Sequence, residues 1–251
     1  MNKTTFGADW IARSPMGLMA SMLVLAPVLF LQGLYVRRTT PRLPEPEGTR
    51  EGQTGQGAPL RLLLLGDSAA AGVGAASQEE ALSGQIVRRL ENRLDLRWKL
   101  VARTGATTLD ALQFVHALPP EAFDAVVLSL GVNDVTGGRI VGTWLQQIEE
   151  LVALLRANLG ARQVILTCLP PMHSFPALPQ PLRWFLGARA LQFNRALERW
   201  SESQPDCEFM RLNLDTEPGM MASDGYHPGP LIYAAWGAES ARRIVARWGE
   251  P

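Results

Sequence analysis

The sequence predicts an α/β domain, a parallel sheet covered by helices on both faces, and three observations point there. Short apolar runs recur at 60–65, 97–102, 123–130, 163–169 and 207–214. Longer segments with helical spacing separate them, at about 79–94, 107–118, 143–158 and 183–203, with a last one at about 229–248. In that last segment Leu231, Ala235, Ala238, Ile244 and Val245 lie near one face, while Glu239, Arg242, Arg243 and Arg247 lie elsewhere. Strands alternating with helices are βαβ units, which bury a parallel sheet on both sides. Right-handed crossovers then give a doubly wound, flavodoxin-like three-layer α/β/α sandwich of five parallel strands over residues 60–251.

Composition supports a core and removes several functions. The chain has 251 residues, 47% of them hydrophobic, enough for one sizeable domain with extra pieces. Lys and Arg number 24, as do Asp and Glu, and no basic block interrupts the balance, so nucleic acid is not an expected partner. Cys168 and Cys207 have no C-x-x-C spacing, and three scattered histidines make no cluster, so neither a metal nor another cofactor is expected.

Two segments precede the domain. From Ser14 to Val36 no residue is charged, with Arg13 before the run and Arg37-Arg38 after it. That length matches the roughly 20 apolar residues that span hydrocarbon as a helix. Pro15 suits a first turn, and Pro27 would kink the span rather than forbid it. A cleaved signal peptide would end in a small-x-small site, whereas this run ends in Gln32-Gly33-Leu34-Tyr35. Residues 1–36 therefore read as a tail and single-pass membrane anchor. The membrane side stays open: Lys3 and Arg13, offset by Asp9, compete with Arg37, Arg38 and Arg42 and lean towards a cytoplasmic domain. Residues 37–59, rich in Pro, Gly, Glu and Gln, read as a linker.

In a doubly wound sheet, ligands sit beyond the carboxyl ends of the strands. The first strand exits into Gly66-Asp67-Ser68, the second into Arg103-Thr104-Gly105, and the third into Gly131-Val132-Asn133-Asp134. The fourth exits into Pro170-Pro171-Met172-His173, and "DGYHPG" at 224–229 follows the fifth. A serine hydroxyl is a weak nucleophile until a base takes its proton, and His227 can do so. Asp224, three residues earlier, can hold the other ring N–H. The backbone N–H groups of Ser68 and Gly105 and the amide of Asn133 can converge on a developing oxyanion. Glycine at 105 lets the backbone approach closely.

These blocks, "GDS", a glycine after strand two, "GVND" and "DGYH", resemble the SGNH or GDSL hydrolase superfamily, in order and spacing from about residue 60 to 248. The resemblance implies an SGNH hydrolase fold and hydrolysis of esters or thioesters without a metal. It implies Ser68 as nucleophile, Asp224 and His227 as its triad partners, and Ser68, Gly105 and Asn133 as the oxyanion hole. Ala69-Ala70-Ala71 stands where leucine or a similar residue usually follows that serine, which touches local packing and substrate rather than chemistry.

Other readings of the same residues stay on the table. Ser68 could cap a helix, Asn133-Asp134 could close an Asx turn with Asp134 structural, and His173 also follows a strand at the rim but has no nearby acid. Gly72-x-Gly74 resembles a dinucleotide fingerprint, yet it lies too far beyond the strand, and Arg103 stands where a ribose-binding acid belongs. A non-catalytic membrane-tethered binding module and a deacetylase of acetylated polysaccharide are the alternatives to an esterase, lipase or lysophospholipase acting on a small-molecule or lipid ester. Residues 172–187, "MHSFPALPQPLRWFLG", are expected to form a stiff, proline-rich loop. Its Phe175, Leu178 and Trp184 would wall an acyl pocket that favours medium chains.

Overall fold

The computed structural model describes residues 15–212 and 219–249, with side chains from residue 24 onward. In chain order the elements begin with α1 (Pro15–Thr39), β1 (Glu51–Thr54), β2 (Ala58–Gly66), α2 (Leu82–Leu90), β3 (Leu94–Ala102), α3 (Thr108–Ala117) and β4 (Ala125–Ser129). They continue with α4 (Val132–Thr136), α5 (Val141–Leu159), β5 (Gln163–Thr167), a 3₁₀ turn (Met172–Ser174), α6 (Leu182–Ser201), β6 (Cys207–Met210) and α7 (Pro230–Trp248). The sheet order is β1-β3-β2-β4-β5-β6. All neighbours are parallel except β1, which pairs antiparallel with β3 at one edge.

The expected α/β sandwich is present, with one difference: six strands among the described residues rather than five, because β1 arises from the segment expected to be a linker. Its pairing of Glu51 with Lys99 and Thr54 with Leu96 is made by backbone groups, which any composition supplies. The fifth expected run, 207–214, is a strand only over Cys207–Met210, and positions 213 and 214 lie outside the described residues.

β2 explains why the sandwich has two cores. Leu62, Leu63, Leu64 and Leu65 are all completely buried, and successive side chains of a strand face opposite ways. Leu63 and Leu65 join α3, α5 and α6 through Ala111, Leu112, Trp144, Ile148 and Phe193. Leu60, Leu62 and Leu64 join α2 and α7 through Leu82, Ile86, Tyr233, Trp236 and Ile244. Each such leucine contributes about 1.5–3 kcal/mol of burial.

Register then fixes the rim. Gly66, the last residue of β2, pairs with Ala102 on one side and Ser129 on the other, so three strands end flush. A Cβ at Gly66 would lie 2.4 Å from the Ser129 carbonyl oxygen and 2.7 Å from the Ala70 Cβ, which only glycine avoids. The turns that follow β2, β3 and β4 are thereby delivered side by side.

The membrane span expected over residues 14–36 finds no support here. Among the described residues no helix is long and apolar enough to cross a membrane, and residues 14–23 fall outside those whose side chains are described. What is described of α1 lies against the domain. Leu29 and Val36 are buried in the core that holds α6, and the Gln32 side chain brackets the start of α6. Its Nε2 donates to the Gln180 carbonyl (2.6 Å) and its Oε1 accepts the Leu182 N–H (3.0 Å).

Trp144 carries both packing and polar order in the larger core. It is fully buried, its ring lies 4.5 Å from that of Phe193, and its Nε1 donates to Thr108 Oγ1 at 3.0 Å. Trp144→Ala should lower unfolding free energy by about 3–5 kcal/mol, read from denaturant unfolding. A loss below about 1 kcal/mol would mean that this core is not packed as described.

Candidate active site

The turn after β2 is built by the Asp67 and Ser68 backbone. The Asp67 carbonyl accepts the Ala71 N–H (2.9 Å), the Ser68 carbonyl accepts the Val73 N–H (3.0 Å), and Asp67 Oδ1 accepts the Ala69 N–H (3.0 Å). A string of turns follows rather than a regular helix, so Ser68 is no helix cap. Its hydroxyl instead lies 2.9 Å from His227 Nε2.

His227 comes from a tight turn leading into α7. Asp224 Oδ1 accepts the backbone N–H groups of Tyr226 (2.9 Å) and His227 (3.0 Å), and Asp224 Oδ2 sits 2.6 Å from His227 Nδ1. Asp224 is buried, which raises its pKa, but the His227 ring and these two N–H groups outweigh burial and hold it below the usual carboxylate range. An ionised Asp224 keeps the proton on Nδ1 and leaves Nε2 facing the serine as an acceptor. Ser68, His227 and Asp224 are thus brought together. His173 is exposed on the 3₁₀ turn, its backbone and Cβ packed against Gly187, and is no part of this chain of contacts.

Gly105 and Asn133 reach the same rim. Asn133 lies in the first turn of α4 and donates one Nδ2 hydrogen to the Ala106 carbonyl (2.9 Å), which leaves its second amide hydrogen free. Among the described residues, neither the Ser68 N–H nor the Gly105 N–H is hydrogen-bonded to protein. Gly105 takes φ +81°, and a Cβ there would meet nothing within 4 Å, so a left-handed turn requires the glycine rather than a lack of room. Asp134 is structural: its Oδ2 accepts the Thr108 N–H (3.1 Å) and hydroxyl (2.9 Å), tying α4 to the start of α3.

The glycines of the apparent fingerprint also have a packing role. Gly74 lies against the Pro228 carbonyl, and the neighbouring Val73 carbonyl accepts the Tyr233 hydroxyl at 2.7 Å, so this turn braces the histidine loop. No phosphate cradle is needed to explain them.

Beside Ser68 opens a mainly apolar cavity of about 90 Å³. Leu130, Val132, Leu169, Pro171, Phe175, Met221, Tyr226, Ile232 and Trp236 line it together with Ser68 and His227. Of the three side chains expected to wall it, only Phe175 does so. Leu178 is buried in the core away from the cavity, its N–H donating to the Phe175 carbonyl (3.2 Å), and Trp184 is partly buried against the same core. The prolines do not hold this stretch extended; it folds back through the 3₁₀ turn. Tyr226, inside "DGYH", lines the cavity too, although no local pattern marks an aromatic at that position as a pocket residue. Its ring meets those of Phe175 (5.3 Å) and His227 (5.4 Å) edge-on. Trp236 and Ile232, one turn apart and near the start of α7, read simply as core positions of an amphipathic helix.

The model of the GDSL-like Lipase/Acylhydrolase family matches residues 64–235, from β2 into α7. The chain belongs to that family. A GDSL-like esterase of Mycobacterium tuberculosis (strain ATCC 25618 / H37Rv) is 33% identical over 189 residues, covering 70% of this chain and 58% of that protein. The chain thus spans little more than half the length of that curated relative. Solved structures agree in architecture. Est24, a carbohydrate acetylesterase from Sinorhizobium meliloti, superposes with a TM-score of 0.55 at 19% identity over 74% of this chain and 99% of that one. A lipase/acylhydrolase from Enterococcus faecalis gives 0.53 at 22% identity over 75% and 96%. At such identities the likeness speaks for the fold alone.

Asp67, between the family's glycine and serine, is a buried carboxyl. Burial raises its pKa to about 7, despite the Ala69 and Ala70 N–H groups and His227, which lower it. In the unfolded chain it ionises near 3.9, so from pH 4 to 7 the folded state holds a proton that unfolding releases. Stability from this group is complete below about pH 4 and is lost as pH rises towards 7. The melting temperature of Asp67→Asn minus that of wild type should therefore climb between pH 4.5 and 7, then level off. A difference that stays flat across that window would show Asp67 to be ionised in the folded protein.

Proposed function

We propose that this chain is a serine ester hydrolase working through an acyl-enzyme. The observation that carries the reading is one imidazole bridging a hydroxyl at 2.9 Å and a buried carboxylate at 2.6 Å beside an apolar cavity. His227 Nε2 takes the Ser68 proton as Oγ attacks the ester carbonyl carbon. The carbonyl π electrons move to oxygen, and the Ser68 and Gly105 N–H groups and the Asn133 amide stabilise that oxyanion. Collapse of the tetrahedral adduct breaks the ester C–O bond, and the alcohol leaves with the proton from His227. Water then repeats the sequence on the acyl-serine and regenerates the enzyme. Asp224 keeps the imidazole in its tautomer and offsets its charge.

Cavity size supports a short acyl group. An apolar cavity of about 150 Å³ holds benzene, so about 90 Å³ offers room for roughly three or four carbons. We therefore replace the medium-chain expectation by one for butyryl-sized esters. The name of the Sinorhizobium protein keeps acetyl esters of carbohydrate as the competing reading.

The outer face of α1 supports a proposal about location. Val24, Val28, Leu31 and Tyr35, spaced to fall on one helical stripe, are exposed, as is Phe30, while Arg37 and Arg38 close the helix. We propose that this face meets a lipid surface, with the catalytic rim held nearby. Co-sedimentation of the full chain with anionic vesicles tests it; no binding, or equal binding by a variant lacking residues 1–36, would refute it.

Ser68→Ala should lose p-nitrophenyl ester hydrolysis by several orders of magnitude and should no longer be labelled by a fluorophosphonate, with melting temperature nearly unchanged. Retention of more than about a tenth of wild-type turnover would remove Ser68 as nucleophile. Asn133→Ala should lower kcat by roughly 10²–10³-fold with little change in KM; a change confined to KM would make Asn133 a substrate-binding residue. Across an ester panel butyryl should lead, and Phe175→Ala should move the optimum to longer chains. Acetyl as the fastest wild-type substrate would favour the deacetylase reading instead.

A further inference from the structure

Between α1 and β1 the chain runs as an irregular strap, residues 40–50, and the strap is pinned along its length. The Glu47 carbonyl accepts the Gln78 N–H (2.9 Å), the Pro46 carbonyl accepts Gln78 Nε2 (3.2 Å), and the Arg50 carbonyl accepts the Leu100 N–H (2.6 Å). One side chain of the strap reaches the active rim. Glu45 Oε1 accepts both the backbone N–H and the hydroxyl of Thr104, each at 2.7 Å. Its other oxygen, Oε2, accepts from Arg50 Nη2 (2.8 Å), and Arg50 Nη1 donates to the Ala102 carbonyl (3.2 Å).

Glu45 and Arg50 thus hold both ends of the Ala102–Thr104 turn, immediately before Gly105. From the far side, Asn133 holds the Ala106 carbonyl. Gly105 itself has no side chain to anchor it, and its φ of +81° is adopted in open space. The peptide that carries its N–H is therefore positioned by its neighbours. Burial raises the Glu45 pKa, but the Thr104 donors and Arg50 outweigh it and hold the group below its usual range, so the grip persists at neutral pH. Arg50 also offsets a negative charge that would otherwise oppose an oxyanion nearby.

We propose that Glu45, oriented by Arg50, is a positioning residue for the oxyanion hole: it clamps Thr104 so that the Gly105 N–H stays in place for the developing negative charge. The inference rests on the acyl-transfer reading above. It also goes beyond the family pattern, because the matched region starts at residue 64 and the strap lies outside it. Preorganised donors owe their effect to being fixed before the charge develops, so loosening one acts on kcat more than on KM.

The test uses the full chain with p-nitrophenyl butyrate, with kcat counted per site titrated by a fluorophosphonate so that misfolded protein drops out. Glu45→Ala should lower kcat about tenfold with KM within about twofold of wild type. Glu45→Gln, which keeps an acceptor for Thr104, should recover much of that loss. Binding of a boronic acid, whose tetrahedral adduct places an oxygen in the hole, should weaken in step with kcat. If Glu45→Ala fails to fold, Thr104→Val, which removes one of the two hydrogen bonds, should lower kcat about threefold. A kcat per site within twofold of wild type in Glu45→Ala, or loss appearing only in melting temperature, overturns the positioning role. Ser68→Ala in parallel separates the two readings. If it is inactive while Glu45→Ala is normal, only the clamp falls; if it is active, the acyl-transfer reading itself fails.

Discussion

The alignment of three strand ends at Gly66 is the constraint on which the rest of this structure depends. A parallel ladder makes no demand that its strands stop together. Here Gly66 faces both Ala102 and Ser129, and the Asp67 N–H continues the ladder to the Ser129 carbonyl at 3.1 Å. Everything placed on those three turns inherits its position from backbone hydrogen bonds in the buried centre of the sheet, the least deformable part of the molecule. A side chain at Gly66 would separate β2 from β4 and move Ser68 relative to Asn133 before it touched any catalytic group.

Two cross-braces then convert adjacency into geometry. Asn133 to the Ala106 carbonyl and Asp134 to Thr108 lock the turns after β3 and β4 together, and Trp144 buttresses Thr108 from the core. The histidine loop comes from a different region of sequence and needs its own brace, supplied by Tyr233 on Val73 and by Gly74 on Pro228. Polar groups with structural work surround those proposed to do chemistry, and the two kinds differ in what they leave free. Asp134 Oδ2 is taken up by Thr108, whereas Ser68 N–H, Gly105 N–H and one Asn133 hydrogen have no protein partner among the described residues.

The sheet and the rim were legible because their signals are local and repeated. An apolar run such as Leu62–Leu65 has few physical outcomes other than a doubly covered strand, "GDS" and "GVND" sit where such strands end, and "DGYH" precedes the last helix. The cavity was not legible, because membership in it depends on which way an apolar side chain turns. Phe175, Leu178 and Trp184 look alike in composition, and Phe175 and Leu178 are both buried in one core, yet only Phe175 also borders the cavity, where it meets Tyr226. Trp236 and Ile232 carry the helical spacing of core residues and are core residues; that they also border a cavity is a property of what fails to fill it.

The segment read as a linker failed for a more general reason. Composition judges whether a stretch can bury apolar surface, and residues 37–59 cannot. A segment can also be ordered by attaching its backbone to a surface that is already folded, where the entropy to be overcome is that of a short strap with both ends held. β1 does this by adding itself to the free edge of β3, and Glu45 and Arg50 do it with an ion pair whose other contacts are the Thr104 N–H and hydroxyl and the Ala102 carbonyl. Because such a strap stabilises little by burial, its residues are free to be chosen for where they reach. This one reaches the turn beside Gly105, adding a hold on Thr104 to those that the Ala106 N–H to Arg103 carbonyl bond (3.0 Å) and Asn133 already supply.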